Sequence, residues 1–370
     1  MPRHRTFTPD SPPGSICCFR LSAIGDCCNL VPVLRTLQAH YPKTPITWVT
    51  GRSEAALFGD LDGIEVITHD KHTGQRGLQR QLEGRSFDAL LLMQVALRAG
   101  LAARAVKAPV RIGFDRQRSR DGHGLFVNTR IPIAPPGHVI DGFFDFLKPL
   151  GVTERMWRWA IPIPPEAKYR ADQIIDPHRP TLVISPCSSQ RFRNYRNWPI
   201  ANAIAVAQHA LRVRDMQVLI TGGSSEQEQA YAAALEQACQ SQVGSADGAA
   251  SIINLTGKTD LKTLFALMQQ SSAVLAPDSG PVHMAIAAGT PAIGLYASSN
   301  PARTGPVLGQ QWVVNAYPLA IKQRFGCEVS EVRWGQRVRD PKVMELITPN
   351  AVIERLDQLL ATPVAERLTQ

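Results

Sequence analysis

The sequence predicts an α/β protein built from two successive parallel-sheet domains. Short apolar runs alternate with helix-length segments in both halves of the chain, and a proline-rich stretch interrupts that alternation near its middle. The strand-like runs are apolar along most of their length, as in sheets whose two faces are both covered by helices. At 370 residues the chain also exceeds what one core ordinarily serves.

In the first half, Ile16 to Leu21 is a strand and a helix runs from about Cys27 to His40. Ile46 to Thr50 and Ile64 to Thr68, rich in β-branched residues, are the next strands. A helical stretch from Gly77 to Glu83 leads to the strand Phe87 to Met93, and Val95 to Val106 is helical. Val110 to Gly113 is a short strand, a basic loop follows, and Val139 to Leu150 is a helix. Met1 to Gly14 is Pro-rich and polar and reads as a flexible tail, so the N-terminal domain spans 15–160.

Pro162, Pro164, Pro165, Pro177 and Pro180 bracket a short helical piece, which makes 161–180 the linker. The alternation then restarts with strand Thr181 to Ser185 and a helix capped by Asn197, with Pro199 in its first turn. Strand Gln217 to Thr221 leads to a helix opened by Ser225 and Glu228, the spacing of a capping box. Strand Ile252 to Leu255 precedes a helix capped by Asp260. An apolar run ending at Ala276 is a buried strand, Asp278-Ser279-Gly280 turns, and Pro281 takes a favoured first helical position. That helix stops at Gly289, and Ala292 to Tyr296 is a further strand. Ala320 to Leu346 reads as an extended, charged segment, and Thr348-Pro349 starts a final helix running to about Leu360. The C-terminal domain is therefore 181–345, with 346–370 as a last helix and tail.

Composition narrows the class. No apolar run approaches the roughly 20 residues of a membrane helix, and the N-terminus has no apolar core of a secretory signal. The seven cysteines show no CxxC spacing, so a zinc site or disulfide framework is not expected and a reducing cytosol fits. A net charge of +9 favours an anionic partner. The basic residues gather in two short segments, Arg111 to Arg130 and Arg191 to Arg196, which suits discrete phosphate sites better than a nucleic-acid track.

Ligands of open parallel sheets bind outside the carboxyl ends of the strands, where every chemistry-bearing segment here lies. Two such domains with facing strand ends would share one cleft. The turn Asp278 to Gly280 aims free N–H groups and the positive end of a helix at one spot suited to a phosphate, with Asp278 and His283 at its mouth. The first strand ends in Arg20-Leu-Ser-Ala-Ile-Gly-Asp26, where Asp26 is either a general base for a hydroxyl or simply a helix cap. On that segment alone the cap is the plainer reading. Ser188, Ser189, Arg191, Arg193 and Arg196 follow a buried strand and either hold a diphosphate, since arginine matches phosphate oxygens in a bidentate way, or form a plain solvated basic loop. Glu226, after Gly222-Gly223, has the reach of a ribose ligand or the place of an ordinary first-turn acid. The Lys258-Thr259 turn either touches a base or caps a helix. Neither G-x-G-x-x-G nor a P-loop is present, which opposes an NAD-dependent oxidoreductase. Asp60-Leu-Asp62 reads as a turn rather than a metal pair, and no metal site is expected.

Together these segments resemble glycosyltransferase family 9, the ADP-heptose:lipopolysaccharide heptosyltransferases. The resemblance rests on Arg20 to Asp26, Val110-Arg-Ile-Gly-Phe-Asp115, Asn197-Trp-Pro199, Gly222-Gly223 and Asp278-Ser-Gly-Pro-Val-His283, in the family's order from about 15 to 305. It implies a GT-B architecture: two facing Rossmann-like domains with parallel sheets and a last helix crossing back to the first. It also implies inverting, metal-independent transfer of L-glycero-D-manno-heptose from ADP-heptose to the lipopolysaccharide inner core, either Kdo-lipid A or a heptosylated core. By position Asp26 becomes the general base, and the bare-cap reading gives way. Ser188, Ser189 and Arg196 would meet the diphosphate, where heptosyltransferase I commonly has threonines and a lysine. Glu226 would take the ribose, Lys258 and Thr259 the adenine, and Asp278 the heptose hydroxyls. Ser279, Gly280 and Pro281 would offer the helix N-terminus, with His283 beside the phosphates. Arg116, Arg118 and Arg120 would pair with the carboxylates and phosphates of an anionic glycolipid acceptor. Such an enzyme would be cytoplasmic, without a cofactor or nucleic-acid partner, and would visit the inner-membrane surface. A relative with another nucleotide sugar or a protein acceptor, and a catalytically silent nucleotide-binding module, remain the alternatives.

Overall fold

The structure, a computed structural model, describes residues 7–8, 11–188, 195–240 and 252–369. Ser189, Arg191 and Arg193 therefore lie outside the described residues. The chain forms two compact units, Met1–Pro162 and Ile163–Gln370.

In the first unit the elements are β1 (Ile16–Phe19), α1 (Ile24–His40), β2 (Ile46–Gly51), α2 (Arg52–Phe58), β3 (Ile64–His69) and α3 (Gly74–Gln81). They continue with β4 (Ala89–Leu92), α4 (Leu97–Ala103), β5 (Val110–Gly113), β6 (Thr129–Arg130) and α5 (Val139–Phe144). The six strands form one parallel sheet in the order β3-β2-β1-β4-β5-β6. β1 and β4 are wholly buried, as their unbroken apolar runs require, and Phe19, Leu90 and Leu92 join Leu78, Ala99 and Phe126 in a core on one face.

The second unit contains α6 (Pro165–Asp172), β7 (Thr181–Ile184), α7 (Ile200–Arg212), β8 (Gln217–Ile220), α8 (Glu226–Gln240), β9 (Ile252–Asn254) and α9 (Leu261–Gln269). It continues with β10 (Ala273–Pro277), α10 (Gly280–Ala288), β11 (Ala292–Tyr296), α11 (Pro301–Thr304), β12 (Val314–Asn315), α12 (Tyr317–Phe325) and α13 (Pro349–Ala361). Its six strands are again parallel, ordered β12-β11-β10-β7-β8-β9. Strands, helices and the buried Trp198, Tyr317 and Leu356 close one continuous core.

The two topologies share a property that places the site. In each sheet the chain builds outward from a central strand in one direction and then resumes on its other side. The reversal lies between β1 and β4 in the first unit and between β7 and β10 in the second. Loops leaving such neighbouring strands diverge, and the crevice between them is where open α/β sheets bind ligands.

Several expectations are corrected. The first helix starts at Ile24, ahead of Cys27, so Asp26 is inside its first turn and the N-cap is Ala23. Asn197 is not the cap of α7: Pro199 takes that place without a side-chain bond. The helix expected from Val139 to Leu150 divides into α5 and a 3-10 turn over Asp145–Leu150, which carries Pro149 and its missing N–H. Phe7, within the expected tail, is buried. The segment expected to be extended from Ala320 instead begins within α12, and Val338, Val343 and Met344 pack into the second core. Other turns form as read. Asp260 accepts the Thr263 N–H at 2.7 Å, Gly289 ends α10 at φ +82, and Thr348 caps α13. α13 packs chiefly on α7, β11 and β12, all in the second unit.

Candidate functional site

In the first unit, the crevice between β1 and β4 is filled by the guanidinium of Arg20. It donates to the Met93 carbonyl just after β4 and to Asp26 Oδ2, and it lies 4.8 Å from the Phe143 ring centroid. The Arg20 backbone N–H continues the sheet by bonding Val49, while Leu21 N–H is taken by Gln94 Oε1 at 2.8 Å. The turn is thus pinned from both neighbouring strands. Asp26 sits where the helix N-terminus favours a carboxylate. Its side chain is 34% exposed against 11% for Arg20, so the ion pair is sheathed on one side and open to a ligand on the other. Two buried groups flank it. Cys27, at the next position of α1, has its thiol pushed well up by burial. Glu54, on α2, is also pushed up by burial, against the opposing fields of Lys71, Arg20 and Arg98.

The expected acceptor arginines divide. Arg116 and Arg120 are exposed on the loop after β5. Arg118 is spent internally: it pairs with Asp115 and Asp145 and donates to the Pro132 carbonyl at 3.0 Å. Burial raises the Asp115 carboxyl, but bonds from Arg118 and the Gln117 N–H outweigh that and hold it low. Arg118 is a brace for this loop. Asp60 and Asp62 lie in the turn before β3, where the Asp62 carbonyl accepts from Arg35 and Gln38. Among the described residues, no group of three or more His, Cys, Asp or Glu is placed to hold a metal ion.

In the second unit the crevice between β7 and β10 gathers Ser188, Arg196, Asp278 and Ser279. Asp278 is buried at the end of β10; its Oδ2 accepts from Ser299 Oγ at 2.6 Å. Arg196 donates to the Asp278 carbonyl at 2.6 Å and stands 3.7 Å from its carboxylate. Ser279 is the N-cap of α10, yet its hydroxyl donates back to Pro277 at 2.9 Å and does not cap the helix. The first N–H groups of α10 thus carry no side-chain cap, the arrangement that receives an anion. Gly280 and Pro281 open that helix and His283 lies buried in its first turns. Ser188 is held from below, its N–H bonded to Asn197 Oδ1 at 2.9 Å.

The loops after β8 and β9 form a second, contiguous group. Gly257 donates to the Gly222 carbonyl at 3.1 Å, and Ser185 Oγ meets Thr221 Oγ1 at 2.5 Å, which ties the β7, β8 and β9 ends together. Glu226 starts α8 with an exposed side chain. Glu228 is the carboxylate that holds the turn, accepting from Gly223 N–H at 3.0 Å and Ser225 Oγ at 2.6 Å. Lys258 Nζ bonds the Asn254 carbonyl at 2.9 Å, and Thr259 is half-buried beside it.

Sequence reasoning missed Gln94, Phe143, Asn197 as a loop brace, and Ser299; the Ser225–Glu228 pair it expected does form, with the Glu228 N–H donating to Ser225 Oγ at 3.3 Å. Ser299 had a signal: Ser298-Ser299-Asn300 is a polar run one residue after a wholly buried strand.

Residues 75–332 match the family model described as glycosyltransferase family 9 (heptosyltransferase). The chain is 38% identical to the lipopolysaccharide core heptosyltransferase OpsX of Haemophilus influenzae, over 94% of this chain and 97% of that protein. It is 23% identical to lipopolysaccharide heptosyltransferase 3 of Escherichia coli, over 94% and 98%. Among solved structures, E. coli ADP-heptose heptosyltransferase II superposes with a TM-score of 0.70 at 20% identity, covering 94% and 98% of the two chains. The E. coli heptosyltransferase WaaC with ADP superposes at 0.69 and 17%, covering 93% and 99%. At those identities the superpositions establish the two-sheet fold.

Proposed function

The chain belongs to glycosyltransferase family 9, the heptosyltransferases, and from that premise we propose that it moves heptose from ADP-L-glycero-D-manno-heptose to the inner core of lipopolysaccharide with inversion at the anomeric carbon. The observation that carries the mechanism is the partly exposed carboxylate of Asp26, fixed by Arg20 at a sheet's reversal point. The acceptor hydroxyl gives its proton to Asp26 as its oxygen bonds to the anomeric carbon. The bond from that carbon to the diphosphate breaks, and ADP leaves with the electron pair.

Negative charge grows on the diphosphate as the bond lengthens. Arg196 and the open N-terminus of α10 meet it with fixed positive charge, the role a divalent ion would otherwise fill. Ser188 and the segment after it, which includes Ser189, complete the phosphate contacts in this reading. Asp278, held by Ser299, accepts from heptose hydroxyls, Glu226 from the ribose, and the Lys258-Thr259 turn faces the adenine. Arg116 and Arg120 address the acceptor's anionic groups.

Mass spectrometry of the products formed from ADP-heptose with Kdo-lipid A, or with heptosylated core, tests donor and acceptor together. A mass gain of one heptose on either acceptor, undiminished by a chelator, is the expected result. Transfer only from another nucleotide sugar, or loss of transfer with the chelator, overturns the donor or the metal-independent reading.

A further inference from the structure

Leu97, Leu101 and Leu125 are large apolar side chains left 50%, 43% and 85% exposed on the first unit. Leu97, Leu101 and Arg104 follow one another at helical spacing, so they share one face of α4 and its C-cap. α4 packs on the 3-10 turn His123–Leu125: a Cβ at Gly100 would come within 2.3 Å of the Phe126 ring. That close approach sets the turn that carries Leu125 against α4. Single exposed leucines are ordinary, whereas three on adjoining elements make a patch.

The surround of the patch is basic. From Gln94 to Arg130 the chain carries eight Lys and Arg against two Asp, a net +6 of the whole chain's +9. One of those two acids, Asp115, is buried against Arg118. Arg98, Arg104 and Lys107 are exposed around the leucines. Apolar side chains within a field of Lys and Arg are what the headgroup region of an anionic bilayer takes up. A second copy of this face would instead set like charges against each other across a twofold axis. Among the described residues, no helix is long and apolar enough to cross a membrane, so contact of this kind is interfacial.

We propose that the face formed by α4 and the His123–Leu125 turn docks on an anionic phospholipid surface. This rests on the reading that the acceptor is lipid-linked. α4 begins just beyond Gln94, which holds the Leu21 N–H in the turn leading to Asp26. Docking there brings the acceptor's headgroup region toward that carboxylate.

The test compares the full chain with the Leu97→Ser, Leu101→Ser, Leu125→Ser triple variant in flotation with phosphatidylglycerol-containing and pure phosphatidylcholine vesicles. The wild type should float with anionic vesicles only, the more so at low salt, and the variant should lose at least tenfold in partitioning. Transfer to a deacylated, water-soluble acceptor should keep its kcat in the variant, while KM for the vesicle-embedded acceptor rises. Near-ultraviolet circular dichroism shows whether the variant is folded. Equal flotation of the two proteins overturns the proposal. So does a concentration-dependent dimer by light scattering that the variant loses while the wild type ignores vesicles. Vesicle binding without transfer to either acceptor would instead sink the functional reading and leave this one standing.

Discussion

Arg20 holds Asp26 by one carboxylate oxygen while its other end grips the carbonyl of Met93 on the far side of the sheet's reversal point. A single buried guanidinium therefore couples the end of β1, the first turn of α1 and the end of β4. Oδ2 of Asp26 is occupied by that pairing, so in the proposed mechanism Oδ1 is the atom that takes the acceptor hydroxyl's proton. The same logic recurs in the second unit, where Ser299 and Arg196 hold Asp278 at the other reversal point.

Ser299→Ala should weaken donor binding. The substitution leaves Oδ2 of a buried carboxylate without its hydroxyl donor, a loss of about 1–3 kcal/mol. Donor KM should rise about tenfold, with a smaller change in kcat, and Ser299→Thr should restore it. Steady-state kinetics with ADP-heptose check this. An alanine variant with unaltered KM would mean that Arg196 alone orients Asp278.

Gly257→Ala should loosen the β8 and β9 loops together. Gly257 adopts φ +72, and a Cβ there would lie 3.3 Å from Ser224 Cα. The left-handed backbone and the close contact should cost about 1–2 kcal/mol. A lower denaturation midpoint and a smaller thermal shift with ADP are expected. If both stay at wild-type values, the Gly222–Gly257 contact does not organise these loops.

The strand ends are legible in the sequence because buried strands read as unbroken apolar runs and the residues following them are polar or small, whereas the strand order that makes two of them reversal points is not. Asp278 stands directly beyond such a run, at the end of β10, while Asp26 and Arg196 lie further along the loops and turns that leave β1 and β7. Side-chain partnerships are less legible, since they join residues far apart along the chain. Arg118 looked like a free cation but meets Asp145 across 27 positions, and Asn197 looked like a cap but braces Ser188. Short elements fail for another reason: β6 and β12 have two residues each, too few to show a period.

His123 should make the first unit acid-sensitive. It is buried with Nε2 accepting the Phe114 N–H at 3.1 Å, and burial, aided by Arg130, lowers its pKa from 6.5 to about 4. The folded protein thus binds fewer protons here than the unfolded chain. The stability this contributes is fully present above the unfolded value and is lost as pH falls from 6.5 through about 4. Urea midpoints should drop more steeply over that window in the wild type than in His123→Gln, which keeps an acceptor but cannot charge. Parallel curves would show that His123 does not drive the acid loss.

Asp26, as the base that Arg20 positions, is the centre of the proposed mechanism. Single-turnover transfer from ADP-heptose by Asp26→Asn, with the ADP-induced thermal shift measured alongside, tests it directly. The chemical step should slow by about 10²–10⁴-fold while the ADP shift stays at its wild-type value. A variant that transfers heptose at the wild-type rate would contradict it.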